Sequence, residues 1–411
     1  MADGIYSASW LTSRRLRAHG LIVGVALWSI YLWAIATPGL RDRNGNLKGT
    51  DFLHFYTLGL IAHEHHGPEL YDMKSQSELA AAHVPQAAGI YYLPLYPPQV
   101  SIPFAPFAHL SYARALAIWW IGCALIYFLC CYRTWRTCSN LQPHGLTIAI
   151  LAAAFPGFFH LIAWGQTSAI ALACFTAAYL CLRSKRDFLA GIALGCLAFK
   201  PQLALAATIV FIATGARRVV IGATLAGAAQ FLAGVLYYGM QTFHDWLWMV
   251  RNVRLALPFL EPKIYQTHCL RTFWSMLIPW PRVAFAFYVI SAALALAMTV
   301  WIWRRQSELP LNLRFAALLF ATVLVAPHLT VYDVVILAPG MLLLADWLLG
   351  VAPKPGKAQI STALYCAYMF PLLGPPARWT HVQLSVIAMA AVLFLLWRQS
   401  TSSPLIPAAN T

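Results

Sequence analysis

The chain has 411 residues, of which 60% are hydrophobic and 10% are charged, and its formal net charge is +15. Soluble globular proteins carry about 25% charged residues, so this composition excludes an ordinary soluble domain and predicts an integral membrane protein. The basic residues lie in short connections between apolar runs, as in cytoplasmic loops that follow the positive-inside rule. This placement argues against a nucleic-acid partner and makes membrane lipids the expected surroundings.

Apolar runs of roughly 20 residues, the length needed to span a bilayer, recur along the chain. With a cytoplasmic N-terminus, the first span covers 20–37, and residues 38–93 form a long outer loop that is expected to carry amphipathic helices. The next stretch, 94–110, holds five prolines. Because proline removes a backbone donor and disrupts a regular helix, this stretch is predicted to be re-entrant or to lie on the membrane surface.

The later apolar runs alternate with basic connections. Further spans are expected at 114–132, 146–163, 167–182, 219–238, 283–303, 314–327 and 334–350, and on either side of Arg378. The run 188–214 starts and ends beside basic residues and is interrupted at Lys200, which predicts a short hairpin. The expected fold is an all-α bundle of about 12 transmembrane helices in one domain, 1–411, with both termini cytoplasmic and a second outer loop at 239–281.

This topology places most of the chemically able residues on the outer face. Nine of the 13 acidic residues are expected there, namely Asp42, Asp51, Glu64, Glu69, Asp72, Glu78, Asp245, Glu261 and Asp333. They are joined by Gln166, Lys200, Gln202, His268, Arg271 and His328. Polar groups held at membrane depth are costly, so these residues are functional candidates. Because an outward site has no access to cytosolic nucleotides, its substrates are predicted to be carried by lipids.

Segments that resemble the motifs of the DUF2029 family, glycosyltransferase family 87, occur in order along the chain. They are "DFLHFYTLGLIAHEHHGPELYD" (51–72), "YYLPLYPPQVSIPFAPFAHLSYARALAIWW" (91–120), "GQTSAIALA" (165–173), "AGIALGCLAFKPQLAL" (190–205) and "HLTVYD" (328–333). The third segment departs from the family pattern, because Ser168 stands where the family usually has Asn.

The resemblance implies a polytopic glycosyltransferase of the GT-C type in a bacterial inner membrane. Its donor is expected to be a polyprenyl-phosphate sugar, with mannose the best-known case, and its acceptor a lipid or glycan on the periplasmic face. The expected reaction inverts the anomeric carbon and needs no metal or other cofactor. In this family an aspartate of the first outer loop acts as the catalytic base, and the matching residue here is Asp51.

Each site candidate also has a structural alternative. Asp51 follows Thr50 at the start of a helical pattern and fits a helix N-cap as well as a general base. His54 and Tyr56, which follow it, are supporting candidates, although His54 is equally explained as structural. Lys200 offers a cation for the donor phosphate, with a snorkelling lysine as the alternative.

The remaining candidates are expected to bind the donor or to support its binding. Arg271 is a second candidate for the phosphate, and His328 is a candidate for the phosphate, for sugar hydroxyls or for a rival base. Gln166 and Gln202 are candidates for the sugar, although a Gly-Gln pair also simply ends a helix. Tyr332 and Asp333 are the remaining supporting candidates, and Tyr332 also suits an interfacial anchor.

Two features of the chain suggest other functions. The run "HEHH" (63–66) suggests a metal site, but its spacing does not place the histidines on one helix face, and a solvated cluster is the preferred interpretation. The rival function is that of a transporter or a flippase for lipid-linked sugars. It predicts repeat symmetry and ionisable residues on both sides of the membrane midplane, and the sequence shows neither.

Overall fold

The computed structural model describes residues 10–253, 263–350 and 356–402, so Glu261 lies outside the described residues. The α-helices in these ranges are α1 (Ser13–Ile35), α2 (Thr50–Glu64), α3 (Met73–His83), α4 (Tyr112–Trp135), α5 (Gly145–Ala153), α6 (Pro156–Trp164), α7 (Ser168–Arg183), α8 (Asp187–Gly195), α9 (Pro201–Ala213), α10 (Arg217–Tyr238), α11 (Met240–Arg251), α12 (Leu270–Leu277), α13 (Pro281–Arg304), α14 (Leu311–Val325), α15 (Leu337–Gly350), α16 (Lys357–Met369), α17 (Ala377–Thr380) and α18 (Leu384–Ser402). The β pairing in the described ranges consists of two isolated bridges, Arg41–Leu47 and Thr267–Thr330.

Six helical segments of the described residues are long and apolar enough to cross a membrane. They are α1, α4, α10, α13, the segment Val331–Gly350 that contains α15, and α18. Helices α5 and α6, which meet at a bend of 42°, make a seventh if they form one span. Apolar helices shorter than a span include α7, α9, α14 and the segment that begins with α8. The structure therefore confirms an all-helical membrane protein, whereas the expected count of about 12 spans is not confirmed.

Helices α8 and α9 form the hairpin that the sequence predicts at 188–214, and α10 packs beside it. Gly191 lies against Val219 and Gly195 lies against Ala223, so closely that a Cβ at either glycine would clash with backbone. Residue numbers increase together along α8 and α10 from the first contact to the second, so these two helices are parallel. Helix α9, which lies between them in the chain, runs in the opposite direction. Helix α10 has 22 residues and α9 has 13, which correspond to about 33 Å and about 20 Å.

The basic connections gather at the end of the bundle that lies away from the hairpin tip. Arg183, at the end of α7, donates from Nη1 to the carbonyl oxygen of Thr137 at 3.2 Å. Arg304, at the end of α13, donates from Nη2 to the carbonyl oxygen of Ala213 at 3.2 Å. We call this region the basic end, and we call the opposite region, which contains Lys200, the tip end.

Helix α2 is buried on every side, so the expectation of an amphipathic helix is wrong for this segment. Each residue from 52 to 62 is buried. The cause is the proline-rich stretch, which packs over α2. Its described residues form the 3-10 segments Pro98–Val100 and Ile102–His109 and contain no regular span. Helix α3 does have one buried side, formed by Gln76, Ser77 and Ala80.

Candidate active site

Lys200 lies at the tip of the hairpin, between two helices. A 3-10 segment ends at Phe199, and α9 begins at Pro201. Proline suits the first position of a helix, because an N–H at that position would have no partner within the helix. The Lys200 side chain is only 3% exposed, and its Nζ lies 2.8 Å from Oδ1 of Asp333, which is equally buried. The break between the two arms therefore places a lysine inside the protein, in an ion pair.

The ammonium group of Lys200 makes two further polar contacts. Its Nζ donates to Oγ of Ser168 at 3.2 Å and to Oε1 of Gln166 at 3.5 Å. Ser168 in turn donates to Oδ1 of Asp333 at 2.5 Å. The ring of Tyr332 lies with its centroid 5.2 Å from Nζ, within the range of a cation–π contact. The ammonium therefore has three oxygen neighbours, of which Oδ1 of Asp333 is the nearest.

Gln166 connects this cluster to Asp51. Its Nε2 donates to Oδ2 of Asp51 at 2.6 Å, while its Oε1 accepts from Lys200 and from the backbone N–H of Thr167 at 3.3 Å. One continuous chain of polar contacts therefore joins Asp51, Gln166, Lys200 and Asp333. We call this chain the Asp51–Asp333 network.

A left-handed glycine brings Gln166 and Asp51 together. Gly165 ends α6 with a φ of 72°, a conformation that glycine adopts without a steric penalty. A Cβ at this position would lie 2.8 Å from the Cβ of Phe52, at the start of α2. The absence of a side chain at Gly165 thus permits the close approach of the two helix ends.

The structure does not support the N-cap alternative for Asp51. The N-cap of α2 is Gly49, and Asp51 lies in the first turn with its carboxylate bonded to Gln166. The side chain keeps partial contact with solvent although protein groups surround it. Burial raises the pKa of Asp51 to about 6, against the lowering effects of the Gln166 hydrogen bond and of the Lys200 charge. This carboxylate is ionised at pH 7 and is a stronger base than an ordinary aspartate.

A second group of contacts joins Arg271, on α12, to the turn that carries His328. Arg271 donates from Nε to the carbonyl oxygen of Pro327, and the backbone N–H of His268 donates to the carbonyl oxygen of Leu329 at 2.9 Å. The bridge between Thr267 and Thr330 continues this pairing. The turn 327–333 also carries Asp333, so it joins the two basic candidates to the Asp51–Asp333 network.

The family model of glycosyltransferase family 87 matches residues 95–327, more than half of the chain. The chain belongs to glycosyltransferase family 87. This family consists of glycosyltransferases, so the protein is a membrane glycosyltransferase. The matched range contains Gln166, Lys200 and Arg271, whereas Asp51 and Asp333 lie outside it. No curated protein and no solved structure matches the chain significantly.

Two tyrosines of this glycosyltransferase lie at the network and were missed by sequence reasoning. Tyr92 donates from its hydroxyl to the carbonyl oxygen of Thr50, beside Asp51. Tyr96 lies close enough to Lys200 and Asp333 to interact with both charges. Burial raises the pKa of both tyrosines, so their hydroxyls stay neutral. The signal was the run "YYLPLYPP" (91–98), which sequence reasoning read mainly for its prolines.

His54 and Tyr56, the supporting candidates on α2, have different surroundings. His54 is 4% exposed, lies between the rings of Tyr92 and Tyr96, and has no hydrogen-bond partner for either ring nitrogen within the described residues. Burial lowers the pKa of His54 to about 4, so the ring is neutral. The Tyr56 hydroxyl donates to the carbonyl oxygen of Leu110 at 2.8 Å, and it therefore fastens the end of the proline-rich stretch to α2.

Gln202 and the "HEHH" run stand apart from the network. Gln202 lies in the first turn of α9 and is partly exposed, and the hydrogen bonds of the network among the described residues do not include it. Residues 63–66 are exposed, and His66 lies 3.4 Å from Glu64 and 3.5 Å from Glu69. No three His, Cys, Asp or Glu side chains of the described ranges are arranged to hold a metal ion.

Proposed function

We propose that this glycosyltransferase moves a hexose, mannose in the first instance, from a polyprenyl-phosphate donor to a lipid or glycan acceptor, with inversion and with Asp51 as the general base. The observation that carries the proposal is the contrast between two carboxylates. Asp333 is buried and paired with a cation, whereas Asp51 has one oxygen held by Gln166 and keeps contact with solvent. Of these two groups, only Asp51 can meet an acceptor hydroxyl.

The proposed reaction is a single displacement. Asp51 takes the proton of the acceptor hydroxyl while the acceptor oxygen forms a bond to the anomeric carbon of the sugar. The bond between that carbon and the phosphate oxygen breaks, and the electron pair leaves with the polyprenyl phosphate. Attack from the side opposite the leaving group inverts the anomeric carbon, and one base without a covalent intermediate is sufficient.

The leaving phosphate gains negative charge, so the proposal includes a cationic site for it. Arg271 and His328 are the proposed ligands, because Arg271 donates to the turn 327–333, which carries His328 and continues to Asp333 in the network. Gln202, in the first turn of α9 beside Lys200, is proposed to contact the sugar.

The proposed orientation places the tip end on the periplasmic face of a bacterial inner membrane. Its support is the separation between the basic end and Lys200, because basic connections favour the cytoplasmic side. A site on that face is suited to a donor whose tail lies in the bilayer. The family assignment favours this transferase over the transporter or flippase that the sequence alone left as a rival.

The test is transfer of labelled sugar by the purified protein in proteoliposomes. Polyprenyl-phosphate-mannose is offered first and other polyprenyl-phosphate sugars next, to wild type and to Asp51→Asn. Loss of a general base is expected to lower the rate by about 10²–10⁴-fold, with donor affinity retained. Asp72→Asn is the matched control, because Asp72 is an exposed N-cap of α3 and asparagine serves equally well there.

Undiminished transfer by Asp51→Asn would remove Asp51 from the reaction. If wild type transfers sugar from none of these donors, the proposed donor class is wrong. Both outcomes are read against Asp72→Asn, which must match wild type in yield and melting temperature.

A further inference from the structure

The ammonium group of Lys200 is surrounded by protein oxygens in the arrangement that the structure shows, and its side chain is 3% exposed. Its Nζ lies 2.8 Å from Oδ1 of Asp333, 3.2 Å from Oγ of Ser168 and 3.5 Å from Oε1 of Gln166. We infer that Lys200 is a positioning residue, which sets the direction of the Asp51 carboxylate through the Gln166 amide and does not bind the donor phosphate. The inference rests on the proposed function in one respect, namely that Asp51 is the base.

The Gln166 amide carries the effect because its two ends are chemically different. Its oxygen only accepts hydrogen bonds and its nitrogen only donates them. The ammonium of Lys200 is a donor, so the amide oxygen turns toward it, and the amide nitrogen is left to face Asp51 at 2.6 Å. The reversed amide would bring its oxygen against the carboxylate. Lys200, together with the backbone N–H of Thr167, thus favours the amide orientation that holds Asp51.

Asp333 fixes the lysine in turn. Its Oδ1 accepts from Lys200 and Ser168, and its Oδ2 accepts from the backbone N–H and the hydroxyl of Thr330 at 3.4 and 3.3 Å. The carboxylate is therefore held by both the hairpin tip and its own turn.

The same carboxylate makes the tip unfavourable for an anion. A phosphate in contact with Lys200 would lie beside the negative charge of Asp333, and like charges repel strongly where the groups are shielded from water. Both side chains of the ion pair are 3% exposed, so little of either group faces an incoming ligand. Arg271 and His328 remain the proposed phosphate ligands.

The first experiment separates donor binding from turnover. The variants are Lys200→Met, the double variant Lys200→Met with Asp333→Asn, and Arg271→Met. The double variant leaves no buried charge unpaired and covers the case in which Lys200→Met fails to fold. Lys74→Met is the matched control, since Lys74 loses the same ammonium from a side chain that is 79% exposed.

The probe for binding is a short-chain polyprenyl phosphate without sugar. We expect the double variant to bind it within threefold of wild type while kcat falls at least 100-fold, and we expect Arg271→Met to lose affinity. A loss of affinity of tenfold or more in the folded double variant overturns the inference, whatever happens to kcat. An unchanged kcat overturns it as well.

A second measurement needs neither substrate nor activity. Infrared pH titration follows the Asp51 carboxyl, identified as the band that Asp51→Asn lacks. Gln166→Leu removes the hydrogen bond directly and raises the titration midpoint. The double variant removes one positive and one negative charge, so its main expected effect is release of the Gln166 amide, and its midpoint should match that of Gln166→Leu.

A double variant with the wild-type midpoint overturns the inference. If wild type binds no polyprenyl phosphate or transfers no sugar, the proposed function fails instead, and the infrared midpoints alone decide the role of Lys200.

Discussion

Buried polar groups occur at both ends of this bundle, but they are connected differently. At the basic end, Asp346 accepts from the backbone N–H of Asn140 at 2.8 Å, and the side-chain amide of Asn140 donates back to the Asp346 carbonyl oxygen. The Tyr179 hydroxyl donates to Oδ1 of Asn312 at 2.7 Å, and it also lies 3.3 Å from Oγ1 of Thr137 and 3.4 Å from Nη1 of Arg183. These contacts fasten neighbouring helix ends and connections to each other.

At the tip end, the polar groups come from four separate parts of the chain and form one network. Helix α2, the turn after α6, the hairpin tip and the turn 327–333 each contribute a member. The network runs from a sealed ion pair to a carboxylate in contact with solvent. The two ends differ in the group that they lead to: the contacts of Tyr179 lead to the exposed guanidinium of Arg183, whereas the tip-end network leads to the Asp51 carboxylate, which can act as a base.

The largest expected effect comes from breaking the ion pair on one side only. Asp333→Asn leaves the Lys200 charge buried without its partner, which is expected to cost about 3–5 kcal/mol of unfolding free energy. Adding Lys200→Met should restore most of this loss. At the basic end, Asp346→Asn keeps an acceptor for Asn140 and should cost about 1 kcal/mol. Thermal unfolding in detergent measures all three, and equal losses at Asp333 and Asp346 would erase the contrast between the two ends.

The pH dependence of transfer tests the accessible end of the network. Asp51 must be deprotonated to act as a base, and its pKa is about 6. The rate is therefore expected to be constant above pH 7 and to fall about tenfold for each pH unit below 6. Asp51→Glu should shift the pH at which the rate begins to fall, because the longer side chain places its carboxylate in different surroundings. If the rate falls at the same pH in Asp51→Glu as in wild type, another ionisable group causes the fall.

The approach of α6 to α2 is tested at Gly165. Alanine at this position must adopt a positive φ and push against Phe52, with an expected cost of about 2–3 kcal/mol and a loss of transfer as Gln166 moves. Gly39→Ala is the matched control, because Gly39 also has a positive φ but its Cβ would meet nothing within 4 Å. Melting temperature and transfer rate are compared for both, and equal effects would mean that the contact with Phe52 is unimportant.

The smallest effect is expected at His54. Leucine removes two buried ring nitrogens that lack partners in the described residues, so stability should stay within about 1 kcal/mol of wild type at pH 7. Because the pKa of His54 is about 4 in the folded protein and about 6.5 when unfolded, wild type loses stability between pH 6.5 and 4 and the variant does not.

The melting temperature of wild type should therefore fall relative to that of His54→Leu from pH 7 to pH 5. His63→Leu, at an exposed position of the same helix, controls for loss of a histidine. If folded His54→Leu loses sugar transfer, the ring contacts substrate and is not structural.

The sequence was sufficient to predict the hairpin and its lysine. Two short apolar arms that begin and end beside basic residues have one arrangement consistent with the positive-inside rule, and Lys200-Pro201 marks their break. The pairing of Lys200 with Asp333 could not be predicted in the same way, because these residues are separated by 133 positions and meet only through packing of the hairpin against the turn 327–333.

The link between Gln166 and Asp51 was hidden for a similar reason. It depends on the close approach that Gly165 permits, and a glycine before a glutamine is equally common at an ordinary helix end. The burial of α2 was mispredicted because its alternation of polar and apolar residues does not reveal what covers the polar side. The cover is supplied by the proline-rich stretch, whose irregular path no periodic pattern describes.

The length of the hairpin has a consequence for how a lipid substrate reaches the site. Arms of about 20 Å fall about 10 Å short of a hydrocarbon layer that is about 30 Å thick. With the basic end at one interface, Lys200 lies below the opposite headgroup plane. In the proposed orientation, the headgroup of the proposed donor would descend from that plane into the protein, while its tail stays among the acyl chains. A thinner membrane would bring the headgroup plane closer to Lys200 and shorten this descent.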